Sequence, residues 1–151
     1  MAQKTRPRNH EARKAKYIAA ALASSERSVT FLHKDIDHHG LSGIRETLLD
    51  GHIEMGSSQK EVMRARKLAD ILDEHNAPTF IDYFSLDIEG AEYEILSRFP
   101  FYRYKFGLIT VEHNFQEPKR SMIRQLLDLH GYRVDKEVYV DDWFVNKHMW
   151  A

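Results

Sequence analysis

Three carboxylates follow directly on an apolar run in FIDYFSLDIEGAEYE: Asp87, Glu89 and Glu92 stand between a strand-like segment and a helical one. In open α/β sheets ligands bind in the crevice beyond the carboxyl ends of the strands, so acidic groups placed there point to a site. A carboxylate in such a position can take up a proton or face a cation. At the start of the following helix it is favoured instead by the helix dipole, by about 0.3–1 kcal/mol. Glu92 fits the helix role, with Gly90 letting the backbone turn tightly into the helix. Asp87, on an otherwise apolar strand, is the stronger site residue, because a buried carboxylate without a partner is costly. A second cluster, HKDIDHH, gathers His33, Asp35, Asp37, His38 and His39. Imidazole and carboxylate both ligate divalent ions, but the spacing matches no standard ligand set, and alternation sends His38 away from His33, Asp35 and Asp37. It reads as a hydrated loop, and no metal site is expected in the chain.

The elements that must position these groups follow from periodicity. Residues 80–87 read as a buried strand, followed by a helix from about Ala91 with Tyr93, Ile95 and Leu96 as apolar contacts and Pro100 as its stop. GLITVE at 107–112 is a further strand. Met122, Ile123, Leu126 and Leu127 mark the apolar face of a helix over 119–129, with Gly131 as its C-cap. Strands near 132–134 and 138–145 close the chain as an antiparallel hairpin; Asp141 and Asp142 read as exposed acids and Trp143 as packing on the sheet edge. Upstream, 17–22 reads as a buried strand, although its alanines also suit a helix; 28–33 and 61–66 read as strands, and Leu68, Ile71 and Leu72 form a short helix that Asn76, Ala77 and Pro78 end. The glycine-rich residues 33–58 are irregular. Strands alternating with helices define an α/β domain.

A chain of 151 residues fits one domain, here residues 17–151 behind a basic segment, 1–16. That segment carries Lys4, Arg6, Arg8, Arg13, Lys14 and Lys16 without interleaved aromatic residues, and the net charge is −1, so no nucleic-acid partner is expected. The absence of cysteine excludes thiolate chemistry and fits a reducing compartment. No apolar run approaches the roughly 20 residues that a membrane-spanning helix needs, and a cytoplasmic location is expected.

LDIEGAEYEIL, then ITVEHN, LLDLHGY and the closing VDDWFV, in this order and spacing, resemble the carboxyl half of FkbM-type methyltransferases over residues 17–147. The resemblance implies a Rossmann-like methyltransferase fold, S-adenosylmethionine as cofactor, and O-methylation of a hydroxyl on a sugar, lipid or other small molecule. It places Asp87 and Glu89 in the reaction crevice, facing the donor's sulfonium and the acceptor. Glu112, His113 and Asn114 then end the neighbouring strand, and either Asp87 or His113 serves as general base. Ala21 and Leu22, with Asp87, are the expected cofactor contacts.

The chain also departs from that pattern. Such enzymes open with a strand feeding a glycine-rich turn, whereas no Gly-x-Gly follows an early strand here and all seven glycines lie at Gly40 or later. The expectation is therefore a mixed sheet truncated at its amino end, with residues 80–87 at an apolar edge. Three arrangements would cover that edge: the early strand moves in, two copies pair as a homodimer, or a complementing chain docks. The alternative to an enzyme is a non-catalytic remnant or interaction module that needs a partner for the cofactor-binding half.

Overall fold

The structure is a computed structural model that describes residues 16–33, 43–45 and 59–149. All of the basic segment 1–16 except Lys16, and the cluster residues Asp35, Asp37, His38 and His39, lie outside the described residues. Instead of one mixed sheet there are two, each of four strands, in a strand-rich α/β arrangement.

The first sheet contains β1 (Ala21–Leu22), β2 (Arg27–His33), β3 (Gly43–Ile44) and β4 (Gln59–Arg66), ordered β1-β4-β2-β3. Its spine is the antiparallel β2–β4 pair, in register from Arg27 opposite Ala65 to His33 opposite Gln59. β1 runs parallel to β4, with Ala21 opposite Ala65. The early strand is shorter than expected because only Ala21 and Ala23 are buried at its end, while Tyr17 remains 64% exposed. It does not move in beside residues 80–87. The core of this sheet is small, made of Ala21, Ala23, Val29, Ile44 and Ala65.

The second sheet, ordered β5-β6-β8-β7, holds β5 (Phe80–Leu86), β6 (Lys105–Glu112), β7 (Tyr132–Val138) and β8 (Asp141–Asn146). Helix α1 (Leu68–Glu74) precedes β5, α2 (Glu92–Ser97) makes the crossover to the parallel β6, and α3 (Lys119–Leu129) leads into the hairpin of β7 and β8. The apolar spacing in α3 brings Ile123 and Leu127 onto Leu96, Phe101, Phe106, Ile109, Tyr132 and Phe144. Gly131, at φ +88°, ends α3 in the left-handed conformation that a side chain disfavours. The Tyr132 hydroxyl accepts from the Phe106 amide at 3.0 Å and the Asn146 side-chain amide donates to the Phe106 carbonyl at 3.2 Å, so buried side chains satisfy that stretch of β6 backbone.

Two expectations change here. β5 is not a buried strand: Phe80 is 39% and Tyr83 54% exposed, because among the described residues β5 is an edge strand paired with β6 alone. Nor does Trp143 sit on a sheet edge, since β8 lies between β6 and β7. Among the described residues no helix is long and apolar enough to cross a membrane.

The sheets meet at α2. The Glu94 carboxylate accepts from the Ser24 amide and hydroxyl and from both terminal nitrogens of Arg27, at 2.5–3.3 Å. The Arg27 hydrogen bonds hold its carboxyl down at about 2. Within the second sheet the tightest approach is at Gly107, where an added Cβ would lie 2.7 Å from the Asp82 carbonyl oxygen. Gly107→Ala should therefore push β5 off β6 at a cost of about 1–3 kcal/mol. Urea unfolding checks this, and an unchanged midpoint would contradict so close an approach.

Candidate active site

Strand pairing creates the site. In the parallel β5–β6 ladder the last register pair is Leu86 opposite Val111, so the next residue on each strand, Asp87 and Glu112, must come side by side. Beyond Asp87 the chain turns sharply, with Glu89 at φ 58° and Gly90 at φ 101°. Two groups hold this turn. Glu92 is buried at the first position of α2, where its Oε1 accepts from the amides of Ile88 and Gly90, both at 3.1 Å. From the other side, the Lys119 ammonium donates to the Gly90 carbonyl at 3.1 Å and to Gln116 Oε1 at 3.2 Å.

The turn carries Glu89 back toward the strand ends, so that carboxylate oxygens of Asp87, Glu89 and Glu112 all lie within 4.8 Å of one another. Like charges this close cannot all remain ionised. Glu112 yields: burial first, then the charge and hydrogen bond of Asp87, with Glu89 and Glu92 behind, push its carboxyl up to about 8. At neutral pH the corner therefore keeps a proton on Glu112, hydrogen-bonded to Asp87. Asp87 itself is exposed, so the desolvated carboxyl of the site is Glu112 rather than the residue that the strand pattern singled out. Three oxygen donors in this arrangement suit a cationic ligand, and a divalent ion that displaced the shared proton would find its ligands here. Spacing along the chain alone gave no metal site, because Glu112 joins the other two only through strand pairing.

His113 is not brought to this corner. It follows Glu112 on the opposite face, with its side chain 2% exposed. Its Nδ1 accepts the Phe115 amide at 2.9 Å, which leaves the proton on Nε2, 3.6 Å from Asp142 Oδ1. Burial lowers its basicity against the pull of Asp142. With Nδ1 engaged, the imidazole has no lone pair to offer a substrate, and its visible role is to fold Asn114 and Phe115 into their left-handed turn, φ 44° and 56°.

Asp142, expected on an exposed hairpin, is 2% exposed. Arg120 and Arg124, one turn apart on α3, each grip both of its oxygens at 2.7–3.0 Å. Burial alone would raise its carboxyl, but the arginines hold it at about 2. The alternation through Val140 and Phe144 contained this signal, since Asp142 shares their face. Lys119 and the two arginines carry no such signal in the sequence. The expected cofactor contacts stand elsewhere: Ala21 packs in the small core of the first sheet, and beyond Leu22 the chain meets α2 at Glu94.

The raised Glu112 carboxyl has a stability consequence. Between its ordinary value of 4.5 and about 8 the unfolded chain has released this proton while the folded chain retains it. Its contribution is thus fully present below 4.5 and is lost as pH rises toward 8. Glu112→Gln, which keeps a donor for Asp87, should melt with the wild type near pH 4.5 and several degrees above it at pH 8. Thermal melts across that range check this, and parallel curves would refute the shared proton.

The family model for the methyltransferase FkbM domain matches residues 4–134. No curated protein and no solved structure matched the chain. The family match spans most of the 151 residues, from before the first sheet into β7, and takes in the acidic turn and the end of β6: the chain belongs to the FkbM methyltransferase domain family.

Proposed function

We propose that the chain catalyses S-adenosylmethionine-dependent methylation of a hydroxyl on a small molecule, a sugar or lipid among the candidates, at the corner formed by Asp87, Glu89 and Glu112. The convergence of Asp87, Glu89 and Glu112 at the carboxyl end of the parallel β5–β6 pair carries this reading. Supporting it are the parallel β5–β6 pair with its helical crossover and the antiparallel hairpin that follows, an arrangement compatible with a Rossmann-like sheet. The chain's lack of cysteine accords with action in the cytoplasm.

The donor supplies a methyl group on a positively charged sulfur. Three clustered carboxylates fit a cation, and Asp87 and Glu89 are the residues that would hold that end of the molecule. Methyl transfer to oxygen is an in-line displacement, so the corner must align the acceptor hydroxyl and receive its proton as the carbon–oxygen bond forms. Asp87, the exposed member of the pair, receives it. Glu112 keeps its own proton and, by donating to Asp87, restrains that carboxylate from grasping the substrate in the wrong orientation.

One observation favours a second reading, an interaction module completed by another polypeptide. β5 presents Phe80 and Tyr83 on an edge that no described strand covers. Such edges recruit partners, whether a second copy or a different chain. Sedimentation of the purified chain over a range of concentrations tests for the second copy: a single monomeric species throughout would exclude it.

For the catalytic reading, calorimetric titration with S-adenosylmethionine should give saturable heat, and no heat at high concentration would end the case for independent catalysis. Asp87→Asn should reduce turnover by about 100-fold or more, the usual contribution of a positioned proton acceptor. His113→Asn should instead lower thermal stability and leave the pH dependence of turnover in place.

A further inference from the structure

At the other end of β6 lies a groove of about 710 Å³ between the α2–β6 connection, the end of α3 and the end of β8. Four basic residues line it: Arg98, Lys105, His130 and His148, all exposed. No carboxylate is among its lining residues. The neighbouring cations are compensated, Arg103 by Asp73 and Lys147 by Asp128. Among the described residues the Arg98 guanidinium and the Lys105 ammonium have no such partner. Desolvation of its ring and then the Lys105 charge lower the basicity of His130. The lining is also aromatic: the exposed His130 ring stacks at 4.4 Å and 21° on Phe101, which is buried, and Tyr102 is 89% exposed.

We propose that this groove binds a phosphate ester of a small organic molecule. A phosphate monoester carries close to two negative charges and three acceptor oxygens, which suits a groove lined by a guanidinium and an ammonium from two elements. The aromatic wall receives the organic part, and the volume falls in the range of about 300–1,000 Å³ that small-molecule sites occupy. Lys105 opens β6 and Glu112 closes it, so at about 3.3 Å per residue the groove lies roughly 23 Å from the acidic corner. The two sites have opposite charge and are independent, so this assignment stands whether or not the corner transfers methyl groups.

Phenyl phosphate and inorganic phosphate serve as probes in calorimetric titrations of the full chain at low salt. Phenyl phosphate should bind the more tightly of the two and weaken as salt is raised. The double variant Arg98→Gln/Lys105→Gln should lose about tenfold or more in affinity, as expected for removing charge-assisted hydrogen bonds. Both positions are exposed, so the variant should melt as the wild type does. Asp87→Asn should leave the affinity for phenyl phosphate unchanged. Inorganic phosphate binding as tightly as phenyl phosphate would overturn the organic half of the assignment. Absence of binding by either probe at millimolar concentration, or full affinity in the double variant, would overturn all of it. Co-sedimentation with phosphatidylcholine vesicles containing phosphatidic acid, without binding of phenyl phosphate, would do the same and assign the groove to a lipid headgroup.

Discussion

The parallel pairing of β5 on β6 is the constraint on which the site depends. Once Leu86 stands opposite Val111, Asp87 and Glu112 have no freedom to avoid each other, and Glu89 is returned to the same spot by the turn. The repulsion is met in three ways. Glu112 gives up its charge, Glu92 is turned away from the cluster onto the Ile88 and Gly90 amides, and Lys119 places a positive charge behind the Gly90 carbonyl. The same interactions that relieve the like charges also set the shape of the turn, so its electrostatics and its geometry cannot be altered separately. Such a corner keeps its carboxylates fixed in place before any ligand arrives.

A second charged assembly fixes the far side of the same strand end. Asp142 is buried between Arg120 and Arg124, which also reach Glu137, and His113 completes the ring. Burying a carboxylate between guanidiniums is not by itself stabilising, since desolvation offsets much of the attraction. What the assembly provides is position. It ties α3 to β8 beneath the turn that follows Glu112, so the end of β6 is held by side chains on one face and by strand pairing on the other.

Much of this was legible in the residues where the determinants are local. The apolar spacing of Met122, Ile123, Leu126 and Leu127 marks α3 over its observed length, and GLITVE marks most of β6. The acidic turn is visible in LDIEGAE because carboxylates directly after an apolar run mark the point where the chain leaves the core. The non-local features were not legible. The partnership of Asp87 with Glu112 depends on a register between strands separated by a helix. The division into two sheets depends on β1 finding β4, and the cationic groove is assembled from three chain segments that carry no common pattern. His113 shows the limit of residue type as a guide: a histidine at a strand end beside an acid has the composition of a catalytic pair, yet its ring nitrogens are committed to the Phe115 amide and toward Asp142.

The small core of the first sheet sets an order of unfolding. Ala21, Ala23, Val29, Ile44 and Ala65 bury little apolar surface between them, far less than the aromatic core beneath the second sheet, so the first sheet draws much of its order from Ser24 and Arg27 gripping Glu94. Glu94 belongs to the short helix whose first residue, Glu92, shapes the acidic turn. Amide protons of β2 and β4 should then exchange with solvent through a partial opening that leaves the second sheet folded. The first sheet and the acidic turn are thus joined by one short helix, through Glu94 at one position and Glu92 at another.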